Sequence, residues 1–135
     1  MNENDIRWTD IYSVGHEVID NQHKKLINII NKLGDKTELN DDVVIDVLSE
    51  MQKYSEYHFK TEEELFEKYN YIDTQIHKKL HGIFINHIES FKQEFNEGQL
   101  TRSKLFEFLG KWLINHILIS DKRYISCLKK NNEIK

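Results

Sequence analysis

Through four successive segments of this chain apolar residues recur at spacings of three and four, and period-two alternation is nowhere sustained. The pattern predicts amphipathic helices and no strands. Proline is absent and glycine sparse, so the breaks fall where periodicity fails, at Gly34-Asp35, at Tyr69-Asn70-Tyr71 and at Gly98. They divide the chain into helices expected at about 16–34, 41–66, 73–96 and 101–129. Asn40 and Thr101 are the expected N-caps of the second and fourth. Four helices with short connections predict an all-α fold, an antiparallel four-helix bundle of up-down-up-down topology. Residues 1–15, with Ile6, Trp8, Ile11, Tyr12 and Val14, are too apolar for a free tail and predict an N-terminal arm packed on the bundle.

At 135 residues one domain with one core is expected, spanning 1–135. No apolar run approaches the ~20 residues of a membrane span, so no membrane partner is expected. A net charge of -4 without a basic stripe argues against a nucleic-acid surface. The N-terminal sequence MNENDIRWTD has no export signal, and Cys127, the single cysteine, has no internal disulfide partner, so a cytoplasmic location is expected.

The stripes carry an unusual cargo. Of seven histidines, His23, His58, His77, His81 and His116 occupy apolar faces. His77 and His81 in HKKLH are ~40° apart around a helix, and His58 and Glu62 stand in the same relation. Unpaired imidazoles gathered in a core are costly, and a bound cation compensates for them. Imidazoles with carboxylates and no inward cysteine suit Fe, Mn, Ni, Cu or Zn. Five imidazoles exceed the needs of one ion. Two six-coordinate ions sharing two bridging carboxylates and one solvent-derived bridge leave one position open, on the ion with two nitrogens.

Other metal and nucleophile motifs fail on the same residues. No histidine has Glu three positions before it, as ferritin-like sites require. HKKLH carries Lys where a zincin needs its Glu base. Cys127 has no histidine at helical spacing on its segment.

Trp8, VG at 14–15, IDNQH at 19–23, HFKTEE at 58–63, HKKLH at 77–81 and WLINHILISD at 112–121 occur in an order that resembles the hemerythrin family, in particular its single-domain bacterial branch. The resemblance implies two non-haem iron ions with an oxo or hydroxo bridge. It assigns His77, His81 and His116 to one iron, His23 and His58 to the other, and Glu62 and Asp121 as bridging carboxylates. It implies reversible binding of dioxygen at the open position of the two-histidine iron, for delivery, storage or buffering rather than catalysis. Leu113, Ile117 and Trp112 are the expected apolar wall of the oxygen pocket. The rival functions are an oxygen or redox sensor acting through a partner protein, and a di-iron enzyme acting on nitric oxide, peroxide or ferrous iron. An electron donor or an oxygen-consuming enzyme is the protein partner these roles suggest.

Some positions depart from the pattern. Tyr71 is followed by Ile72 where the family commonly has proline, which concerns the turn and not the ligands. His16, in place of an aliphatic residue, is expected at the surface, as is His87. Glu63 and Glu64 read as a solvated face, and Cys127 as a buried or half-buried side chain. Asp121 lies five residues after His116, ~140° around an ideal helix, whereas Ser120 would share the face better. The fourth helix is therefore expected to widen locally, or Asp121 to reach sideways.

Overall fold

The computed structural model describes residues 5–34 and 41–134. Its helices are α1 (Glu17–Asn31), α2 (Asp41–Lys68), α3 (Thr74–Asn96), α4 (Arg102–Asn115) and a short α5 (Ile125–Lys130). Between α4 and α5 the chain stays helical but changes pitch, through a π turn at His116–Ser120 and a 3-10 turn at Asp121–Tyr124. No strand occurs among the described residues.

Side-chain pairings fix the topology. Lys32 meets Glu50 while Gln22 meets Thr61, so α1 and α2 run antiparallel. Phe84 and His77 pack on Phe59 and Phe66, reversing direction again from α2 to α3. Phe91 and His77 lie against Phe108 and His116, so the fourth helix also opposes the third. The result is the expected up-down-up-down bundle.

The helix ends follow local chemistry. Thr101 Oγ1 accepts from the Lys104 N–H at 3.2 Å and caps α4, whereas Asn40 lies outside the described residues. α2 ends with Asn70 at φ 53°, and the Tyr71 N–H returns to the Phe66 carbonyl at 2.9 Å. That left-handed cap turns the chain with Ile72, rather than a proline, after Tyr71. Gly98, at φ 71°, closes α3 in the same way, with the Gln99 N–H on the Glu94 carbonyl at 2.9 Å.

Residues 5–15 form the arm and run back along α1. The Ile6 N–H and carbonyl bond the Asn31 amide at 2.9 and 2.8 Å, and the Val14 N–H bonds Asp20 at 2.9 Å. Ile6 also crosses α4, its Cδ1 3.1 Å from where a Cβ on Gly110 would stand. His16 is not a plain surface residue. Its Nδ1 accepts from the Ile19 N–H at 3.3 Å to cap α1, and its Nε2 lies 3.3 Å from Glu133.

The apolar interior has two parts. A larger cluster includes Leu26, Ile27, Phe59, Phe84, Leu113 and Ile117, and a smaller one at the bundle's end includes Val14, Ile19, Phe66, Tyr71, Tyr124 and Leu128. Helices α1 and α2 contribute to both clusters, and every helical segment of the bundle carries inward polar residues: His23 on α1, His58 and Glu62 on α2, His77 and His81 on α3, and His116 and Asp121 in the turns that follow α4. No helix among the described residues is long and apolar enough to cross a membrane.

Candidate metal centre

The five histidines and two carboxylates singled out from the sequence are all buried and lie together. One group comprises His77, His81, His116, Glu62 and Asp121, and the other His23, His58, Glu62 and Asp121. Within each group one ligand-type atom per residue lies within 4.8 Å of every other, and the two carboxylates belong to both.

Asp121 spans the groups with separate oxygens. Oδ2 is 3.0 Å from His23 Nε2, while Oδ1 is 2.9 Å from His77 Nε2 and 3.1 Å from His116 Nε2. Glu62 spans them with one oxygen. Its Oε1 lies 3.4 Å from His58 Nε2 and 3.2 Å from His81 Nε2. The other oxygen, Oε2, accepts from the Tyr124 hydroxyl at 2.5 Å.

These approaches are short but are not hydrogen bonds. Glu62 Oε1, both Asp121 oxygens and the Nε2 atoms of His23, His77, His81 and His116 are buried without a hydrogen-bond partner. Orphaned polar atoms in a dry core are rare because each carries its full desolvation cost. Here they converge on common points, which is the arrangement a cation resolves. The donor set of imidazole nitrogen and carboxylate oxygen suits a first-row transition metal, so the residues fit a metal site.

The atoms behind the rings fix which nitrogens face inward. Thr61 donates to the Tyr57 carbonyl at 3.2 Å and accepts from the Gln22 amide nitrogen at 3.1 Å, which leaves Gln22 Oε1 to accept from His58 Nδ1 at 2.6 Å. On the other side Glu63 accepts from His81 Nδ1 at 2.7 Å. A carboxylate only accepts, so His81 carries its proton on Nδ1 and turns the lone pair of Nε2 to the centre. Glu63 is thus not part of a solvated face. Glu64, exposed and 3.9 Å from Lys60, is.

Electrostatics follow burial and partners. Burial lowers His58 to about 4 and His81 to about 3 in the protein without metal, keeping both neutral. Burial also acts to lower His116, but the Asp121 carboxylate beside it outweighs that and raises it. Asp121 is held well below the usual carboxylate range, because His116, His23 and His77 together overcome its burial. Burial, with Glu62 next, raises Tyr124 well above an ordinary phenol, so its hydroxyl remains a donor.

The π turn explains how Asp121 arrives here. One residue more per turn than an α-helix brings position i+5 onto the face of His116. The helix widens locally, the first of the two expected alternatives, and Ser120 stays half-exposed outside the groups.

Phe59 stacks on His81 with centroids 3.8 Å apart, and Trp112 on His116 at 4.5 Å, so Trp112 lies against the three-histidine group. Leu113 and Ile117 are buried in the cluster with Leu26, Ile27 and Phe59. His87 is exposed beside Phe108, and Cys127 is half-buried and free. The sequence reading missed Gln22, Glu63, Phe59 and Tyr124. The signal for three of them was adjacency, since each neighbours a singled-out residue in the chain.

Fold and site together define a helical-bundle protein with a buried histidine and carboxylate cluster suited to metal, contributed by α1, α2, α3 and the turns that follow α4. The family model described as the hemerythrin HHE cation binding domain matches residues 14–128. The chain belongs to the hemerythrin family. It is 34% identical over 123 residues to a bacteriohemerythrin of Pseudomonas aeruginosa, covering 90% of this chain and 80% of that one. A bacteriohemerythrin of Clostridium acetobutylicum is 32% identical over 127 residues, with 87% and 97% covered. The crystal structure of a wild-type hemerythrin superposes with a TM-score of 0.83 at 29% identity, covering 91% of this chain and 97% of that one.

Proposed function

We propose that this chain binds dioxygen reversibly at a pair of non-haem irons and serves oxygen delivery, storage or buffering. The observation that carries the reading is the division of Asp121, one oxygen toward His23 and the other toward His77 and His116, which suits a carboxylate bridging two ions. In this assignment His77, His81 and His116 hold one iron, and His23 and His58 the other. Glu62 and Asp121 bridge them, together with an oxo or hydroxo group from solvent. A ferrous pair so held supplies two reducing equivalents and a coordination position for a small diatomic ligand.

The chain's own residues supply the remaining requirements. With the carboxylates shared, the His23 and His58 side has one nitrogen donor fewer, so the open position falls there. Leu113 and Ile117, buried in the apolar cluster with Leu26 and Ile27, would keep water and anions from such a position. Gln22 and Glu63 hold the rings of His58 and His81 with Nε2 inward. The Tyr124 hydroxyl anchors Glu62 while leaving Oε1 free. The names of the bacteriohemerythrin relatives favour the same reading.

The test is a spectroscopic cycle. Protein with quantified iron is reduced without air, exposed to oxygen and then purged of it, with the visible spectrum followed throughout. A ligand-to-iron charge-transfer band that appears with oxygen and disappears on its removal is expected. Rapid irreversible conversion to a ferric spectrum would contradict the reading and favour a redox sensor or an enzyme.

A further inference from the structure

The two sides of the centre differ in what stands behind their rings as well as in the number of imidazoles. Behind His58 is the neutral amide of Gln22, at 2.6 Å. Behind His81 is the carboxylate of Glu63, at 2.7 Å. The His81 ring is nearly closed to solvent, with 3% of the side chain exposed, whereas 28% of the Glu63 side chain is exposed. The carboxylate therefore keeps water on its outer side while its inner oxygen bonds a ring inside the core.

We propose that Glu63 is a positioning residue that acts through His81 and makes the two metal positions unequal. An anionic acceptor on Nδ1–H draws that proton outward and raises the electron density at Nε2, so the ring becomes a stronger donor to a cation. Phe59, stacked at 3.8 Å with planes 5° apart, restricts ring tilt, so the hydrogen bond and the stacked face set one orientation together. The amide behind His58 orients its ring as well but adds no charge. Glu63 thus strengthens the three-histidine position, which already has the larger donor set, and favours the higher oxidation state there. The side with fewer nitrogens keeps the more weakly donating His58.

This inference rests on the di-iron reading, and its test separates the two. Wild-type protein and the variants Glu63→Gln and Glu63→Leu are loaded with ferrous iron without air, iron content is measured, and release to a ferrous chelator is followed. The midpoint potential and the melting temperature of the metal-free forms are recorded alongside. The wild type is expected to take up two irons and release them in two phases. Glu63→Gln keeps an acceptor for His81 but loses the charge. It is expected to take up two irons and to accelerate the slow phase roughly tenfold or more, with the fast phase unchanged. Its potential should rise, while its metal-free melting temperature stays at the wild-type value. Glu63→Leu, which also loses the hydrogen bond, should accelerate the slow phase further.

Wild-type slow-phase rates and potentials in both variants would overturn the proposal while leaving the di-iron reading intact. An effect in Glu63→Leu alone would overturn the charge argument, because orientation would then suffice. A wild-type protein that takes up no iron would overturn both.

Discussion

Asp121 stands five residues beyond His116 in the chain, yet its Oδ1 lies 3.1 Å from His116 Nε2. The π turn at His116–Ser120 makes this possible, and the 3-10 turn that follows immediately tightens the chain again before α5. Isolated π turns inside helices occur frequently at functional sites. Here the irregularity brings to one centre a carboxylate that a regular helix would carry away from it.

Because the two Asp121 oxygens face different groups, Asp121→Ala should depress binding at both positions, whereas His23→Ala should chiefly empty the two-histidine side. Glu62→Ala should resemble Asp121→Ala, since Glu62 Oε1 faces both His58 and His81. Iron bound per chain after anaerobic loading and desalting measures the difference. Full occupancy in either carboxylate variant would count against bridging.

Tyr124→Phe removes the donor to Glu62 Oε2 in a place water does not reach. The abandoned acceptor should cost about 1–3 kcal/mol of folding stability. Urea denaturation of the metal-free protein reads it, and an unchanged midpoint would show that Oε2 finds another partner.

Acid should weaken the metal-free protein before the carboxylates titrate. His58 and His81 are lowered to about 4 and about 3 by burial, whereas in the unfolded chain histidine titrates near ~6.5. Between those values the unfolded chain binds more protons than the folded one, so stability is lost as pH falls through that window. His116, raised by Asp121, acts in the opposite sense, one group against two. The urea midpoint should therefore drop between about pH 6.5 and about pH 5, and a rise would contradict the assignment.

Much of this was readable in the sequence because both fold and ligand types are written in period. Ile19, His23, Leu26 and Ile30 share a stripe, and they emerge as one buried face of α1. Gly98 and Thr101 marked a helix end and a helix start through local backbone chemistry alone. Adjacency marked Gln22 and Glu63 as candidates, but which ring each one meets was not readable. Glu63 reaches His81 and Gln22 reaches His58 only because neighbouring helices bring them there, and the rotation of one helix against another has no signature within either segment. His16 was hidden for another reason, since its cap depends on Gly15 at φ 80° and its second contact on Glu133, near the far end of the chain.

Two glycines should respond to alanine with opposite signs. Gly98 has φ 71° and open space around it, so Gly98→Ala should lose roughly 1 kcal/mol through backbone strain alone. Gly82 lies inside α3, also with nothing within 4 Å of an added Cβ, so Gly82→Ala should gain roughly 0.8–1 kcal/mol from helix propensity. Thermal unfolding of the two variants checks the pair, and a destabilised Gly82→Ala would contradict the open space at that position.

The central claim is a dinuclear centre bridged by Asp121 and Glu62. Its most direct test is quantitative iron analysis of the purified chain combined with low-temperature paramagnetic resonance of its ferric form. Two irons per chain, with no signal because the two spins couple through their bridges, is the expected result for the two groups that share these carboxylates. One iron per chain, or two giving the signal of isolated ferric ions, would contradict it.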